Sequence, residues 1–223
     1  GVDTLLKRPL EQQERIEVIS LPDTRSFPVA IETCLKAIKG GRGKICEQHG
    51  KWNCLTCAKD PAATPSVEIC LSELPLDTIV VFDSLTQLTN SAIAHITKAQ
   101  PEDYKLEYDD WANLGKLMDV FLSHVQQAGF HVVCISHETE VKMEDGKDKL
   151  VPTAGTRNFS RNTAKYFDEV VYCEVKNKKH AVGSSTTYSG NILTGSRSGT
   201  SLESATSASL VPIFTGERVT SNP

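Results

Sequence analysis

The stretch TIVVFDS at residues 78–84 decides the fold, because a short apolar run in it ends directly at Asp83. A run of this length that is rich in β-branched residues is typical of a strand covered on both faces in a parallel sheet. A second, mostly apolar run, FHVVCI at 130–135, ends at Ser136 and His137. Ligands of open α/β sheets bind at the carboxyl ends of the strands. The two runs therefore predict a ligand-binding edge.

The segment between these two strands predicts a long helix over residues 110–128. Its apolar residues recur at intervals of three and four, as in an amphipathic helix, and Gly129 follows the last turn. They are Leu114, Leu117, Met118, Phe121, Leu122 and Val125. Further along, the polar stretch 140–155 predicts a mobile loop, residues 158–167 predict a short basic helix, and residues 169–175 predict a third strand.

The N-terminal part predicts one more strand and one more helix. Residues 15–21 (RIEVISL) alternate in polarity, as a short strand does. A helical pattern follows as far as Lys39, with Asp23 or Ser26 as its candidate cap and the glycine pair that begins at Gly40 as its end. The alternation of strands and helices predicts an α/β doubly wound fold.

Composition divides the chain into a core, an insertion and a tail. Residues 42–76 are rich in cysteine and proline, which indicates an insertion between core elements. We therefore assign the α/β core to residues 1–41 and 77–200. Residues 201–223 form a Ser/Thr-rich tail, in which 211–214 could dock on the core.

Charge and cysteine usage narrow the class of protein. The formal net charge of the 223 residues is −4, so any contact with nucleic acid must come from a local basic patch. No apolar run reaches the roughly 18 residues of a membrane span, and no signal peptide pattern is present. We expect a cytoplasmic protein with no membrane partner. Seven unevenly spaced cysteines favour reduced thiols and a metal cluster over a disulfide framework.

Four candidate metal ligands lie close together, namely Cys46, His49, Cys54 and Cys57. They form two pairs with two intervening residues each, and such a pair can hold one metal ion from a turn. Four nitrogen and sulfur donors suit tetrahedral Zn²⁺. Cys70 could replace one of the four, and the alternative is that they are incidental loop residues. Since no coordination position is left open, we predict a structural site that stabilises an insertion with little core of its own.

Three segments resemble the core of RecA-like ATPases. IVVFDSLTQL (79–88) resembles the Walker B strand, and VVCISHETE (132–140) resembles the following strand, whose polar end senses the γ-phosphate. KYFDEVVYCEVKNKKH (165–180) is similar to the strand after the DNA-facing loop. The family resembled is that of phage-encoded nucleotide-binding AAA/RecA-like ATPases, which includes recombinases of the single-strand annealing type. The resemblance implies a RecA-like P-loop NTPase core with a mostly parallel sheet, here carrying a small zinc-binding insertion.

The resemblance also implies ATP and Mg²⁺ as cofactors and assigns roles at the predicted edge. Asp83 would hold Mg²⁺ through water, with Ser84 beside it. Ser136 and His137 would act as catalytic groups that sense the γ-phosphate or its attacking water. On the residues alone, Asp83 could instead cap the next helix, and His137 could be a solvated loop residue.

Two groups of basic residues are candidate contacts with partners. Arg157, Arg161 and Lys165 follow one another at four-residue spacing, so they would lie on one side of a helix and could contact single-stranded DNA. Lys176 and Lys178 match basic residues that in the resembling proteins reach the nucleotide of a neighbouring subunit. The resemblance therefore implies a homo-oligomer, either a filament or a ring. A solvated basic surface is the alternative for both groups.

No phosphate-binding loop of the pattern G-x-x-x-x-G-K-[ST] occurs in the sequence. The nearest candidate, GGRGK at 40–44, has Ile38 in place of the first glycine and Ile45 in place of Ser or Thr. It also follows a predicted helix, whereas a P-loop follows a strand. We expect this sequence to be N-terminally truncated and, as written, not to hydrolyse ATP.

Three functions remain open from the sequence. The leading hypothesis is an ATP-dependent DNA recombination or single-strand annealing protein of the phage type. The second is a RecA-like scaffold that does not hydrolyse ATP and uses its zinc site to bind DNA or protein partners. A metal-dependent hydrolase built on Asp83 and His137 is disfavoured, because a two-metal site needs several carboxylates.

Overall fold

The computed structural model describes residues 7–62, 64–176, 178–183, 190–199, 210 and 213–214. The α-helices in these ranges are α1 (Leu10–Gln13), α2 (Ala30–Ile38), α3 (Leu85–Thr97), α4 (Tyr108–Gln126) and α5 (Arg157–Arg161). The strands are β1 (Gly43–Cys46), β2 (Ser66–Ile69), β3 (Ile79–Asp83), β4 (His131–Ile135), β5 (Glu138–Lys142), β6 (Asp148–Pro152), β7 (Glu169–Val170), β8 (Tyr172–Lys176), β9 (Lys179–Gly183) and β10 (Gly195–Ser196). None of the described helices is both long enough and apolar enough to cross a membrane.

The two strands predicted to form the ligand-binding edge are parallel neighbours. β3 and β4 pair in parallel with Asp83 opposite Ile135, which confirms this part of the prediction. The predicted long helix is also confirmed as α4, and Phe82 of β3 packs edge-on against Phe121 of α4 with ring centroids 5.2 Å apart. α3 and α4 thus cover one face of the strand pair and form the main core with it.

The expected mostly parallel, doubly wound sheet is not confirmed. Within the described residues β3–β4 is one parallel pair, and β1–β2, β5–β6, β7–β10 and β8–β9 are antiparallel pairs. β5–β6 and β8–β9 are joined by short turns, and a short turn can join only antiparallel strands, since a parallel neighbour needs a crossover of a dozen or more residues. The observed architecture is mixed α/β.

The second face of the parallel pair is not covered in the described part of the chain. Ile79, Val81 and Ile135 are 43%, 52% and 45% exposed, although an apolar run of this kind is typical of strands covered on both faces. The prediction of two covered faces was therefore wrong for the described residues. The helices supply apolar side chains to one side only.

The N-terminal predictions were right for the helix and wrong for the strand. Residues 15–21 are irregular, and Ile16 and Val18 are 44% and 46% exposed, because no described strand pairs with this segment. α2 begins at Ala30, later than predicted, but its first backbone N–H donates to the Asp23 carboxylate at 2.8 Å. Asp23 is therefore the cap, acting from the turn that precedes the helix.

The polar stretch 140–155 is a β-hairpin and not a mobile loop. β5 and β6 pair from Glu138 opposite Pro152 to Lys142 opposite Asp148, and Gly146 at φ +80° forms the turn. Segments that alternate weakly in polarity acquire strand structure by pairing with each other, which no local pattern reveals.

The neighbouring predicted elements are shorter than expected. The basic helix is limited to α5, which Thr156 caps, and Thr163–Tyr166 continues as a 3₁₀ turn. The predicted strand at 169–175 is split into β7 and β8. Segment 42–76, expected to be irregular, contains the antiparallel pair β1–β2.

The predicted tail lies largely outside the described residues. Of the segment 211–214, residues 213 and 214 are described, and the ring of Phe214 meets His131 edge-on with centroids 5.2 Å apart. His131 is the first residue of β4. This contact agrees with docking of the segment on the core.

The buried hydroxyl group of Ser91 joins α2 to α3, two helices that contribute to the main core. Ser91 of α3 is 1% exposed, accepts a hydrogen bond from the backbone N–H of Ile31 at 3.1 Å and donates to Asp23 at 2.9 Å. Since Asp23 also caps α2, the register of α2 against α3 depends on this hydroxyl.

Replacing Ser91 with alanine is expected to lower the free energy of unfolding by about 1–3 kcal/mol, because the N–H of Ile31 is then buried without a partner. Urea denaturation followed by circular dichroism measures the change. Asn90→Ala is the matched control, since Asn90 is an exposed neighbour on the same helix, and its effect should stay within about 0.5 kcal/mol. Equal effects of the two substitutions would contradict the role of Ser91.

Candidate functional site

The four predicted metal ligands, Cys46, His49, Cys54 and Cys57, come together. Their donor atoms all lie within 4.8 Å of one another. Nδ1 of His49 is 3.1 Å from Sγ of Cys57, 3.7 Å from Sγ of Cys54 and 3.9 Å from Sγ of Cys46. A tetrahedral zinc site with Zn–S bonds of about 2.3 Å and Zn–N bonds of about 2.0 Å places its donors about 3.5–3.8 Å apart. The cluster therefore fits one tetrahedral ion.

The turn after β1 brings His49 back to Cys46. The backbone N–H of Gly50 donates to the carbonyl of Cys46 at 2.8 Å, and Gly50 adopts φ +60°. A Cβ atom at this position would lie 2.7 Å from Cδ of Pro22. Both the backbone conformation and the close approach of Pro22 therefore require glycine here.

A second turn positions the Cys54–Cys57 pair. The N–H of Ala58 donates to the carbonyl of Cys54 at 3.0 Å, and a 3₁₀ turn runs from Cys57 to Lys59. Thr64 holds the far end of this turn by donating to the carbonyl of Cys57 at 2.9 Å. Both halves of the ligand set are thus fixed by backbone hydrogen bonds.

Hydrogen bonding and burial shift the pKa values of the two thiols in the second turn in opposite directions. A hydrogen bond from the backbone N–H of Cys57 lowers the pKa of Cys54 to about 6, although burial opposes this. Burial raises the pKa of the Cys57 thiol to about 11. A metal ligand must be a thiolate, so Cys54 is prepared to bind and Cys57 would lose its proton on binding a dication.

Cys70 does not belong to the cluster, which settles the alternative raised by the sequence. Its Sγ lies 3.3 Å from the hydroxyl of Ser72 and 3.8 Å from the carbonyl of Gly40. All seven cysteines of the chain are free thiols. The spacing thus predicted correctly which four side chains come together, and Cys70 is placed elsewhere by the strand that precedes it.

The metal cluster is docked on α2. The hydroxyl of Thr33, 1% exposed, donates to the carbonyl of Gly50 at 2.8 Å, and the rings of Phe27 and His49 meet edge-on with centroids 6.0 Å apart. Trp52 lies directly over Gly43 and packs against the main core. No sequence signal marked Thr33, because its partner is a distant backbone carbonyl.

Asp83 is exposed at the carboxyl end of β3 and is free to bind a ligand. The hydroxyl of Ser84, and not Asp83, caps α3 by accepting from the backbone N–H of Gln87 at 3.3 Å. Within the part of the chain that the structure describes, no hydrogen bond or ion pair engages the Asp83 carboxylate. The capping alternative for Asp83 is thereby excluded, and Ser84, which is 6% exposed, has a structural role.

Ser136 and His137 lie at the same edge as Asp83. The side chain of Ser136 is hydrogen-bonded within the protein, whereas that of His137 is exposed. The hydroxyl of Ser136 lies 2.9 Å from the carbonyls of both Thr153 and His137, and 3.5 Å from the hydroxyl of Thr86. The backbone N–H of His137 donates to Thr86 at 3.0 Å, while its side chain is exposed. Thr86, which the sequence did not single out, therefore ties the start of α3 to the end of β4.

The basic residues expected on one helix face are separated. α5 ends at Arg161, and Lys165, in the 3₁₀ turn that follows, lies 4.0 Å from Asp119 and 4.7 Å from the ring centre of Tyr166. Arg157 is exposed, whereas Arg161 lines a cavity beside the β5–β6 hairpin. The expectation of one shared helix face was wrong for Lys165, because the α-helix ends at Arg161, whereas Arg157 and Arg161 lie four residues apart on α5.

The two lysines expected to act on a neighbouring subunit lie at a hairpin tip. Lys178 is exposed in the turn between β8 and β9, at φ +63°. Lys176 is the last residue of β8, and its side chain lies outside the described residues.

Fold and site together define a mixed α/β domain with a free carboxylate at the end of a parallel strand and a Cys₃His centre able to hold a metal ion. A family model described as an AAA domain matches residues 14–204. The chain therefore belongs to the AAA domain family, which indicates a nucleotide-binding ATPase with ATP and Mg²⁺ as its cofactors. No curated protein and no solved structure matches the chain.

Metal analysis of the purified chain is expected to find about one zinc ion per molecule, and Cys46→Ser should abolish it, because a tetrahedral site needs all four donors. Loss of the ion should also lower the melting temperature, since α2 packs on the cluster. Cys70→Ser removes a thiol outside the cluster and should keep both the zinc content and the melting temperature. A chain that retains its zinc after Cys46→Ser would contradict the assignment.

Proposed function

We propose that this chain is the ATPase core of an ATP-dependent DNA recombination or single-strand annealing protein of the kind that phages encode, acting in the host cytoplasm. The observation that carries the proposal is the free carboxylate of Asp83 at the end of a parallel strand, in a chain of the AAA domain family. Ligands of α/β folds bind at this edge of the sheet. Ser84 supports the role by capping α3 and leaving Asp83 unengaged.

A nucleotide site needs a ligand for the Mg²⁺ ion and a loop that binds the phosphates. Asp83 fits the first, and no segment of the given sequence has the pattern of the second. A carboxylate oxygen such as that of Asp83 is a preferred ligand of Mg²⁺, and Mg²⁺ neutralises the charge that develops on the transferred phosphoryl group. The sequence contains no G-x-x-x-x-G-K-[ST] pattern to wrap the phosphates. Asp83 would hold the ion from the end of β3 and so orient it.

His137 is the better candidate of the two neighbouring groups for contact with the γ-phosphate or its attacking water. Its side chain is exposed, and the bond from its N–H to Thr86 fixes its backbone beside the start of α3. The hydroxyl of Ser136 donates to the carbonyl of Thr153, so Ser136 acts mainly by holding the end of β4 in place. This division assigns chemistry to His137 and positioning to Ser136.

We assign assembly to the turn that carries Lys178 and DNA contact to basic residues of α5 as parts of this proposal. The turn that carries Lys178 projects from a two-stranded hairpin, a position from which it can reach the nucleotide of a neighbour in a filament or ring. Arg157 and Arg161 are the main candidates for single-stranded DNA, because Asp119 partly neutralises Lys165. The metal centre has a structural role in this proposal.

ATP hydrolysis by the full-length product of the gene, with and without single-stranded DNA, tests the proposal. Asp83→Ala is expected to lower DNA-stimulated turnover by about a hundredfold or more, because the metal contributes several kcal/mol to the barrier. Asp77→Ala is the matched control, since Asp77 is an exposed aspartate before the opposite end of β3, and it should keep turnover within about twofold.

The absence of turnover in the unmodified protein, with DNA binding intact, would favour the non-hydrolysing scaffold instead. DNA or protein binding would then be insensitive both to ATP and to Asp83→Ala.

A further inference from the structure

A groove of about 450 Å³ is lined by residues of α3, of the loop that precedes α2 and of the segment that follows α3. Sites for small molecules commonly have volumes of about 300–1,000 Å³. None of the lining residues belongs to β3, β4 or the Cys₃His cluster. The groove is therefore separate from both the candidate ligand-binding edge and the metal centre. Its lining includes Asp23, Arg25, Ile93, Glu102, Tyr104 and Leu106.

The carboxylate of Asp23 is fixed in place and keeps one oxygen available. Its Oδ1 atom accepts from the backbone N–H of Ala30 at 2.8 Å and from the hydroxyl of Ser91 at 2.9 Å. Its Oδ2 atom makes no hydrogen bond or ion pair within the described part of the chain. Because Ser91 is 1% exposed, Asp23 cannot turn away without leaving a buried polar group unpaired. Oδ2 is therefore a fixed acceptor at the groove.

Arg25 brings a positive charge to the same groove. Its Nη2 atom donates to the backbone carbonyl of Glu102 at 2.7 Å, which ties the loop before α2 to the segment after α3. A guanidinium group has five N–H donors, so others remain for a ligand. Although Asp23, Arg25 and the exposed Glu102 line one groove, the described residues contain no ion pair between them. Both signs of charge are therefore available here.

Apolar side chains complete the lining of the groove. Ile93 and Ala94 of α3 are half-buried, as is Leu106 in the segment that follows. The hydroxyl of Tyr104 already donates to Asp110 at 2.6 Å, so Tyr104 offers mainly its ring. An apolar group that enters the groove would be removed from water, which is favourable. The groove thus combines apolar surface with one cation and two carboxylates.

We propose that this groove binds a free α-amino acid with an apolar side chain. Arg25 binds the carboxylate of the ligand, while Oδ2 of Asp23 and the carboxylate of Glu102 bind its ammonium group, all through charge-assisted hydrogen bonds. The side chain of the ligand packs against Ile93 and Leu106. A zwitterion satisfies both signs of charge, whereas a phosphate would meet two carboxylates for one guanidinium group. The site goes beyond the proposed function and does not rest on it.

Titration of the full chain with leucine, followed by NMR chemical shifts, tests the site. Leucinamide lacks the carboxylate and N-acetylleucine lacks the ammonium group, so each should bind at least about fivefold more weakly than leucine. Inorganic phosphate should also bind more weakly than leucine, because the groove has one negative charge in excess. Phosphate binding that is tighter than leucine binding would overturn the proposal.

Variants that neutralise one charge assign each end of the ligand to its partner. Arg25→Gln should weaken leucine binding about fivefold but should not weaken leucinamide binding, because leucinamide offers no carboxylate. Glu102→Gln keeps the backbone carbonyl that Arg25 binds, and it should weaken the binding of leucine but not that of N-acetylleucine. The matched controls are Arg15→Gln and Asp103→Asn, at exposed positions outside the groove, which should stay within about twofold of the unmodified chain.

Equal leucine binding in Arg25→Gln and Arg15→Gln, or no saturable binding in the unmodified chain, would overturn the site. Thermal melting checks that the variants fold, and leucine should raise the melting temperature of the unmodified chain. Asp83→Ala should leave leucine binding unchanged, because Asp83 lies outside the groove. A chain that binds leucine but shows no ATP turnover would retain this site while the proposed ATPase fails.

Discussion

The hydroxyl of Ser91 is the contact on which the arrangement of both sites depends. It joins α3 to the first turn of α2 and to the aspartate that caps α2. α3 begins directly after the candidate ligand-binding edge, and α2 carries Thr33, which donates to the carbonyl of Gly50 in the Cys₃His cluster. A buried polar group with all its partners specifies one register of two helices, where apolar packing alone would tolerate several. The metal centre and the nucleotide edge therefore share one rigid pair of helices.

A metal ion at the Cys₃His cluster would compensate for a lack of apolar core. The three cysteines form a buried cluster of their own, apart from the main core that α3 and α4 build with the parallel strands. A small antiparallel pair such as β1–β2 is at best marginally stable by itself, and four bonds to a metal ion would replace the missing packing. The contacts of Thr33, Phe27 and Trp52 then hold the cluster against α2 and the main core.

The candidate ligand-binding edge keeps a carboxylate free because Ser84, the neighbour of Asp83, caps α3 in its place. The β5–β6 hairpin begins directly after the end of β4, and the hydroxyl of Ser136 donates to the carbonyl of Thr153 at the exit of the hairpin. Both ends of the hairpin are therefore attached at the polar end of β4.

Periodicity and spacing by themselves determined α4, the pair of parallel strands ending at one edge, and the four side chains of the Cys₃His cluster. Each of these depends on residues near one another in the chain, so a local pattern contains the necessary information. Only the tertiary structure decided that residues 138–152 form a hairpin, that residues 15–21 pair with no described strand, and that Cys70 lies outside the cluster. These outcomes depend on which strands pair with each other and on which segments pack together in the folded chain. Hydrogen bonds and ion pairs between distant residues produce no periodic pattern in the sequence. They can therefore be identified only in the folded chain.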